Sequence, residues 1–109
     1  MIRQLSHAIL AALAVSIASP PAFAQKVKLA LDFALQGQQS PFVLAAEGGY
    51  FQRAGVDVQV DRGFGSADSV TKVASGAYDM AFADIGAMIQ FAAKQPASKV
   101  VSVFQVYDV

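Results

Sequence analysis

The stretch Arg62-Gly-Phe-Gly-Ser-Ala-Asp-Ser-Val-Thr-Lys-Val-Ala-Ser-Gly76 decides how the chain is organised. It follows the short strand-like run Val56–Val60 and turns on Gly63 and Gly65. It then opens a predicted helix that Ser66 is placed to cap and Gly76 to end. The first N–H groups of such a helix have no intrahelical partner, and a preceding glycine lets a ligand approach closely. The stretch therefore fits a site for an anion or a polar ring edge, or an ordinary strand–helix connection.

Alternating apolar residues predict further strands on both sides of this stretch. Residues Val27, Leu29, Leu31 and Phe33 share one face of Lys26–Phe33. The mostly apolar run Ala77–Ala83 is predicted to hold a buried third strand, and Lys99–Val106 is predicted to be a fourth.

Helical patterns fill the intervals between these strands. Ser40 is predicted to cap the first helix with Pro41 as its first residue, and two glycines inside this helix are expected to distort its last turn. Asp84 is placed to cap the third helix. The predicted helices are Phe42–Ala54, Ala67–Ser75 and Ile85–Lys94. The resulting order, βαβαβαβ, predicts an α/β fold with a parallel sheet and helices on its faces.

The N-terminus has the form of a secretory signal peptide, Met1–Ala24. Arg3 supplies the positive charge, Ala8–Ala18 is an uncharged apolar run too short to span a bilayer, and Ala22-Phe-Ala24 is a small-x-small cleavage site. We therefore expect export, cleavage after Ala24, and a mature chain that begins at Gln25. No cysteine follows the cleavage site, so no lipoprotein anchor is expected.

Composition excludes several classes of function for the mature chain. It keeps seven Lys and Arg against eight Asp and Glu, so it has one net negative charge and no basic patch for nucleic acid. The chain has no cysteine, and its one histidine, His7, leaves with the signal peptide. Cysteine nucleophiles, histidine-based triads and transition-metal spacings are therefore absent. Binding is the better prediction than catalysis, and no metal or cofactor is expected.

Polar residues follow the predicted strands, where ligands bind in parallel α/β sheets. Asp32, Asp84 and Asp108 each follow a strand and could accept hydrogen bonds from a ligand, or could fix local structure instead. Ser66 could donate to a ligand or cap its helix, and Tyr107 could serve a site or packing. Phe33 could stack on a ligand ring, although its place on the apolar face favours the core. Gln36, Gln38 and Gln39 offer amides in a loop.

Four sequence blocks resemble a known family when taken together. They are Leu31-Asp-Phe-Ala-Leu-Gln-Gly-Gln-Gln-Ser-Pro-Phe-Val-Leu-Ala-Ala-Glu-Gly-Gly-Tyr-Phe51, Gly55-Val-Asp-Val58, Gly65-Ser-Ala-Asp68 and Ala74-Ser-Gly-Ala-Tyr-Asp-Met-Ala-Phe-Ala-Asp84. The chain resembles the periplasmic substrate-binding proteins of ABC importers, in the nitrate/sulfonate/taurine and thiamine-pyrimidine (NitT/TauT-like) group. Phe33 stands where many members have Trp. The polar loop lacks the Asn and His of the pyrimidine-binding members, which counts against a thiamine-precursor ligand.

The resemblance implies a type II periplasmic-binding-protein-like fold, whose two lobes close on a small solute and deliver it to an inner-membrane permease. Such a protein is expected to be a periplasmic monomer. Residues 25–109 would be the N-terminal part of lobe I, which alone should bind ligand weakly. The ligand-facing positions implied by the match are Asp32, Phe33, Gln36, Gln39, Gly65, Ser66, Ala67 and Asp84.

Two alternatives remain open at this point. One is an enzyme like the thiamine-pyrimidine synthase of the same fold group, which uses cysteines, a histidine and lysine-bound pyridoxal phosphate. The other is a truncated product without function, because members of the family are about two domains long.

Overall fold

The structure is a computed structural model that describes residues 25–108; the predicted signal peptide lies outside this range. A three-stranded sheet is surrounded by four helices. The strands are β1 (Lys26–Ala30), β2 (Asp57–Asp61) and β3 (Met80–Ala81), and the helices are α1 (Ser40–Glu47), α2 (Tyr50–Arg53), α3 (Ser66–Ala74) and α4 (Ile85–Lys94). No helix in this range is long and apolar enough to cross a membrane.

The sheet is parallel throughout, with the strand order β2-β1-β3, which confirms the predicted α/β fold class. Lys26 pairs with Asp57 at one end of the β1–β2 ladder, and Ala30 pairs with Asp61 at the other. Ala30 and Leu31 are both fully buried, although alternation predicted that only one of two neighbours faces the core. The reason is that β1 is the central strand, so both of its faces are covered.

The first predicted helix is divided into α1 and α2 at Gly48 and Gly49, which confirms the expected distortion. Gly49 has a φ of 69°, in the left-handed region that glycine adopts without strain. At the other end of α1, Ser40 was predicted to be the cap, but it is the first helical residue and Gln39 occupies the cap position.

Helix α3 begins one residue earlier than predicted. Gly65 takes the cap position with a φ of 127°, and Ser66 is helical, so the interpretation of Ser66 as the cap is wrong. The predictions for two other helix ends are confirmed. Gly76 follows α3 with a φ of 76°, and the Asp84 side chain caps α4 by accepting from the Ala87 N–H at 3.2 Å.

The predicted fourth strand, Lys99–Val106, is not formed. A strand needs a hydrogen-bonded neighbour, and here a cavity of about 460 Å³ lies between this segment and the β3–α4 region. Its apolar side chains stay exposed, with Val103 73% and Phe104 80% accessible. The sequence predicted a strand in this segment but could not predict whether a partner strand lies beside it.

The end of β1 is joined closely to the segment that opens α3. Three consecutive carbonyl oxygens after β1 each accept one hydrogen bond from this segment. The Leu31 oxygen accepts from the Ser69 hydroxyl at 2.8 Å, the Asp32 oxygen from the Gly65 N–H at 2.6 Å, and the Phe33 oxygen from the Gly63 N–H at 3.2 Å. We call residues 31–33 the β1 exit.

Gly63 is buried against the β1 exit and leaves no room for a side chain. A Cβ atom placed on Gly63 would lie 1.7 Å from the Leu31 carbonyl oxygen. That atom belongs to the backbone of the central strand, so it cannot move aside as the end of a side chain could. Glycine at this position is therefore what allows the contact between the turn and the strand.

We predict that Gly63→Ala lowers the free energy of unfolding by about 3 kcal/mol or more, because the added methyl group clashes with the central strand. Urea denaturation followed by circular dichroism measures this effect. Gly37→Ala is the matched control, since nothing lies within 4 Å of the corresponding Cβ. Equal stability of the two variants would contradict the close contact.

Candidate functional site

The carboxyl edge of the sheet gathers residues from all three strand ends. The chain leaves β1 toward β2 on one side and reaches β3 on the other, and open α/β sheets bind ligands at such a reversal of strand order. Three hydrogen bonds, together with the peptide bond between Gly65 and Ser66, connect five of the predicted site residues there. We call this set the carboxyl-edge cluster: Asp32, Gln39, Gly65, Ser66 and Asp84.

Gln39 is the most buried member of the cluster, with only 2% of its surface exposed. Its side-chain Nε2 donates to the Asp32 Oδ1 at 2.7 Å. The opposite orientation of the amide would place its oxygen against that carboxylate, so the hydrogen-bond geometry fixes the amide. The Gln39 Oε1 is buried and has no hydrogen-bond partner among the described residues. Such an orphaned acceptor is uncommon in folded proteins.

Ser66 and Asp84 form the other half of the cluster. The Asp84 N–H donates to the Ser66 hydroxyl oxygen at 3.0 Å, which joins the start of α3 to the start of α4. The Asp84 Oδ1 caps α4, and its other carboxylate oxygen has no protein donor among residues 25–108. Gly65 links the two halves, because its N–H donates to the Asp32 carbonyl oxygen at 2.6 Å.

The other three predicted site residues are not linked to this cluster by side-chain hydrogen bonds. Phe33 is 52% exposed, so its assignment to the core is wrong. The reason is that β1 ends at Ala30, and alternation no longer governs a residue three positions beyond the strand. Gln36 is exposed in the turn before α1, where its carbonyl accepts from the Gln39 N–H at 3.1 Å. Ala67 is exposed on α3.

Tyr107, for which site and packing roles were both open, makes a contact of each kind. Its ring lies edge-on to Phe82 with 5.9 Å between the ring centroids, and Phe82 in turn packs on Phe42 at 5.0 Å. Its hydroxyl donates to the Gln38 Oε1 at 3.4 Å. Asp108 lines the cavity beside β3 and makes no hydrogen bond to the cluster.

Sequence reasoning missed Ser69, which is fully buried and fixes α3 to the β1 exit. A serine within a helix is usually exposed to solvent, so composition gives no reason to select it. One signal was present: Ser69 directly precedes the buried Val70 and therefore lies at the edge of the apolar face of α3.

Charged residues flank the start of α3. The Lys72 ammonium lies 2.7 Å from the Asp68 carboxylate, and the hydrogen bond between them raises the pKa of Lys72 above its ordinary value. The Tyr78 hydroxyl donates to the Asp61 carboxylate at 3.0 Å, and this bond raises the pKa of Tyr78 above 10.0. The Arg62 guanidinium lies 4.9 Å from the centre of the Phe64 ring.

Because the folded state raises the pKa of Tyr78, it favours the neutral phenol. This contribution to stability is fully present below the ordinary pKa of 10.0 and is lost as pH rises through the higher folded value. We predict that Asp61→Asn lowers the pKa of one tyrosine toward 10.0, as measured by tyrosinate absorbance. Asp57→Asn, on the same strand, should leave the titration unchanged. An unaltered titration in Asp61→Asn would contradict the hydrogen bond.

No group of His, Cys, Asp and Glu within residues 25–108 has the geometry to hold a metal ion. The carboxyl-edge cluster instead offers two carboxylates, an amide oxygen and a hydroxyl, which suit hydrogen bonding to a small molecule.

Comparison with known proteins gives one informative match. The sequence model of the family described as NMT1/THI5 like matches residues 36–109, which is more than half of the chain. The matched region contains Gln36, Gln39, Gly65-Ser-Ala67 and Asp84, while Asp32 and Phe33 precede it. No curated protein and no solved structure matches the chain. The chain belongs to the NMT1/THI5-like family.

Proposed function

We propose that this chain is the solute-binding component of an ABC importer. It captures a small organic or anionic nutrient of the sulfonate, nitrate, taurine or pyrimidine type and delivers it to a permease in the inner membrane. The observation that carries the proposal is the position of the carboxyl-edge cluster. In a member of the NMT1/THI5-like family, polar groups that range from the buried Gln39 to the exposed Asp84 meet where the strand order reverses.

The proposed location is the periplasm. The N-terminal sequence supports this location, since Met1–Ala24 combines a basic start, an apolar run and a small-x-small cleavage site. Residues 25–109 then form the N-terminal part of lobe I, and the solute lies against the carboxyl edge of its sheet. We propose that the protein acts as a monomer.

Binding without turnover is part of the same proposal. The cluster's hydroxyl, on Ser66, lies against the backbone N–H of Asp84 and not against a base that could activate it. The polar side chains of Asp32 and Gln39 are engaged with one another. Residues arranged in this way can orient a solute through hydrogen bonds, and they require no cofactor to do so.

A solute panel tests the proposed function. The 109-residue chain is heated with taurine, ethanesulfonate, nitrate or the pyrimidine of thiamine, and unfolding is followed by fluorescence. At least one solute should raise the midpoint in proportion to the logarithm of its concentration, because a ligand that binds only the folded state stabilises it. The stabilisation of the folded state is about 2.7 kcal/mol when the solute concentration is a hundred times Kd.

The same panel is repeated on Asp32→Asn, which preserves the shape of the side chain and removes its charge. This variant should raise the Kd about tenfold, equivalent to about 1.4 kcal/mol. Asp57→Asn is the control, since Asp57 is exposed at the start of β2. The proposal fails if none of the four solutes shifts the midpoint, or if the two variants weaken binding equally.

A further inference from the structure

We propose that the cavity beside β3 is a binding site for an apolar small molecule with a neutral or cationic head group. This site goes beyond the proposed function, because it shares only Asp84 with the carboxyl-edge cluster. Three features of the cavity support it: the residues of its two walls, its volume and the charges at its rim.

The inner wall of the cavity is formed by apolar side chains from three parts of the fold. Val70 and Val73 come from α3, Phe82 follows β3, and Met88 comes from α4. Val70 is only 3% exposed and the other three are half-buried, so this wall belongs to the packed part of the molecule. Such a wall offers dispersion contacts and hydrophobic burial, which favour an apolar molecule over a polar solute.

The outer wall is the segment 99–108, which is held near its two ends. Before it, the Ser98 N–H donates to the Gln95 oxygen at 2.9 Å, at the end of α4. Near its other end, the Tyr107 ring lies 5.9 Å from the Phe82 ring, measured between centroids. Among the described residues, no backbone-to-backbone hydrogen bond joins residues 99–108 to the sheet. The segment therefore stands beside β3 without filling the space between them.

The space between the walls has the size of a small-molecule site. Its volume of about 460 Å³ lies within the range of roughly 300–1,000 Å³ that ligand pockets occupy. Val103 and Phe104 line it from the outer side and are 73% and 80% exposed. An apolar molecule between the walls would remove apolar surface of both from water, and that removal favours binding.

The charges at the rim of the cavity select the head group of the ligand. Asp79, Asp84, Lys99 and Asp108 line the cavity, and all four are exposed. None of them forms a salt bridge to a residue between 25 and 108. Three carboxylates against one ammonium make the rim negative, so it disfavours an anionic head group relative to a neutral or cationic one.

Two fluorescent probes with the same ring system test the site. N-phenyl-1-naphthylamine is neutral, and 8-anilino-1-naphthalenesulfonate adds a sulfonate to the same rings. Each is titrated into the 109-residue chain. The neutral probe should saturate at one molecule per chain, with a Kd about tenfold below that of the sulfonate.

Methionine methyl groups localise the bound probe. Met80 and Met88 are the two methionines of residues 25–108, and both line the cavity. In a ¹H–¹³C spectrum the naphthalene rings of the neutral probe should shift both methyl signals and leave the Met1 signal unchanged. A probe that binds the apolar N-terminal run would shift the Met1 signal instead.

A matched pair of variants tests whether the cavity itself takes the probe. Val73→Phe adds a ring at the inner wall and should weaken binding of the neutral probe about tenfold, because it occupies part of the cavity. Val43→Phe is the control, since Val43 is also half-buried but lines a separate cleft between α1 and β2. Should Val73→Phe fail to fold, the methyl shifts of the unaltered chain still decide the matter.

Three results would each overturn the proposal. They are unmoved Met80 and Met88 signals with the neutral probe, equal affinity for the sulfonate, and equal weakening by Val73→Phe and Val43→Phe. The solute panel judges the proposed function separately, because its variant changes Asp32, which does not line the cavity.

Discussion

The structure depends on the contact between the β1 exit and the turn that opens α3. Three consecutive carbonyl oxygens, on residues 31–33, accept hydrogen bonds from Ser69, Gly65 and Gly63 in turn. The contact is possible because Gly63 has no side chain, since a Cβ there would lie 1.7 Å from the Leu31 oxygen. It joins the central strand to α3, and through the bond from Asp84 to Ser66 it reaches the start of α4. The residues of the candidate site are therefore held in place by hydrogen bonds to the main chain.

Much of this fold could be predicted from the sequence because its signals are local. Alternating apolar residues gave three parallel strands, paired glycines marked the break between α1 and α2, and Asp84 was recognisable as a cap. The errors arose where tertiary contacts, and not the local sequence, determine the secondary structure. Ser66 is displaced from the cap position by Gly65, which occupies that position with a φ of 127°. A strand was predicted in the apolar segment Lys99–Val106, but pairing requires a neighbour that the sequence of the segment does not specify.

The same distinction applies to the candidate site. Eight ligand-facing positions were implied by the family resemblance, and five of them form the carboxyl-edge cluster. Which polar atoms are hydrogen-bonded within the protein and which lack a partner could not be predicted. An amide in a polar loop is usually solvated, yet Gln39 is buried with its nitrogen engaged and its oxygen free. Family membership indicates the kind of protein.

Amide hydrogen exchange tests the central contact most directly. The Gly65 N–H lies in a turn but is bound to the central strand, so it should exchange as slowly as the Leu31 N–H, which donates to the Asp61 oxygen at 2.8 Å. The Gly37 N–H, in an exposed turn, provides the fast reference. Slow exchange at Gly65 is the result that this account predicts. Exchange at Gly65 as fast as at Gly37 would contradict it and would remove the support on which the carboxyl-edge cluster is built.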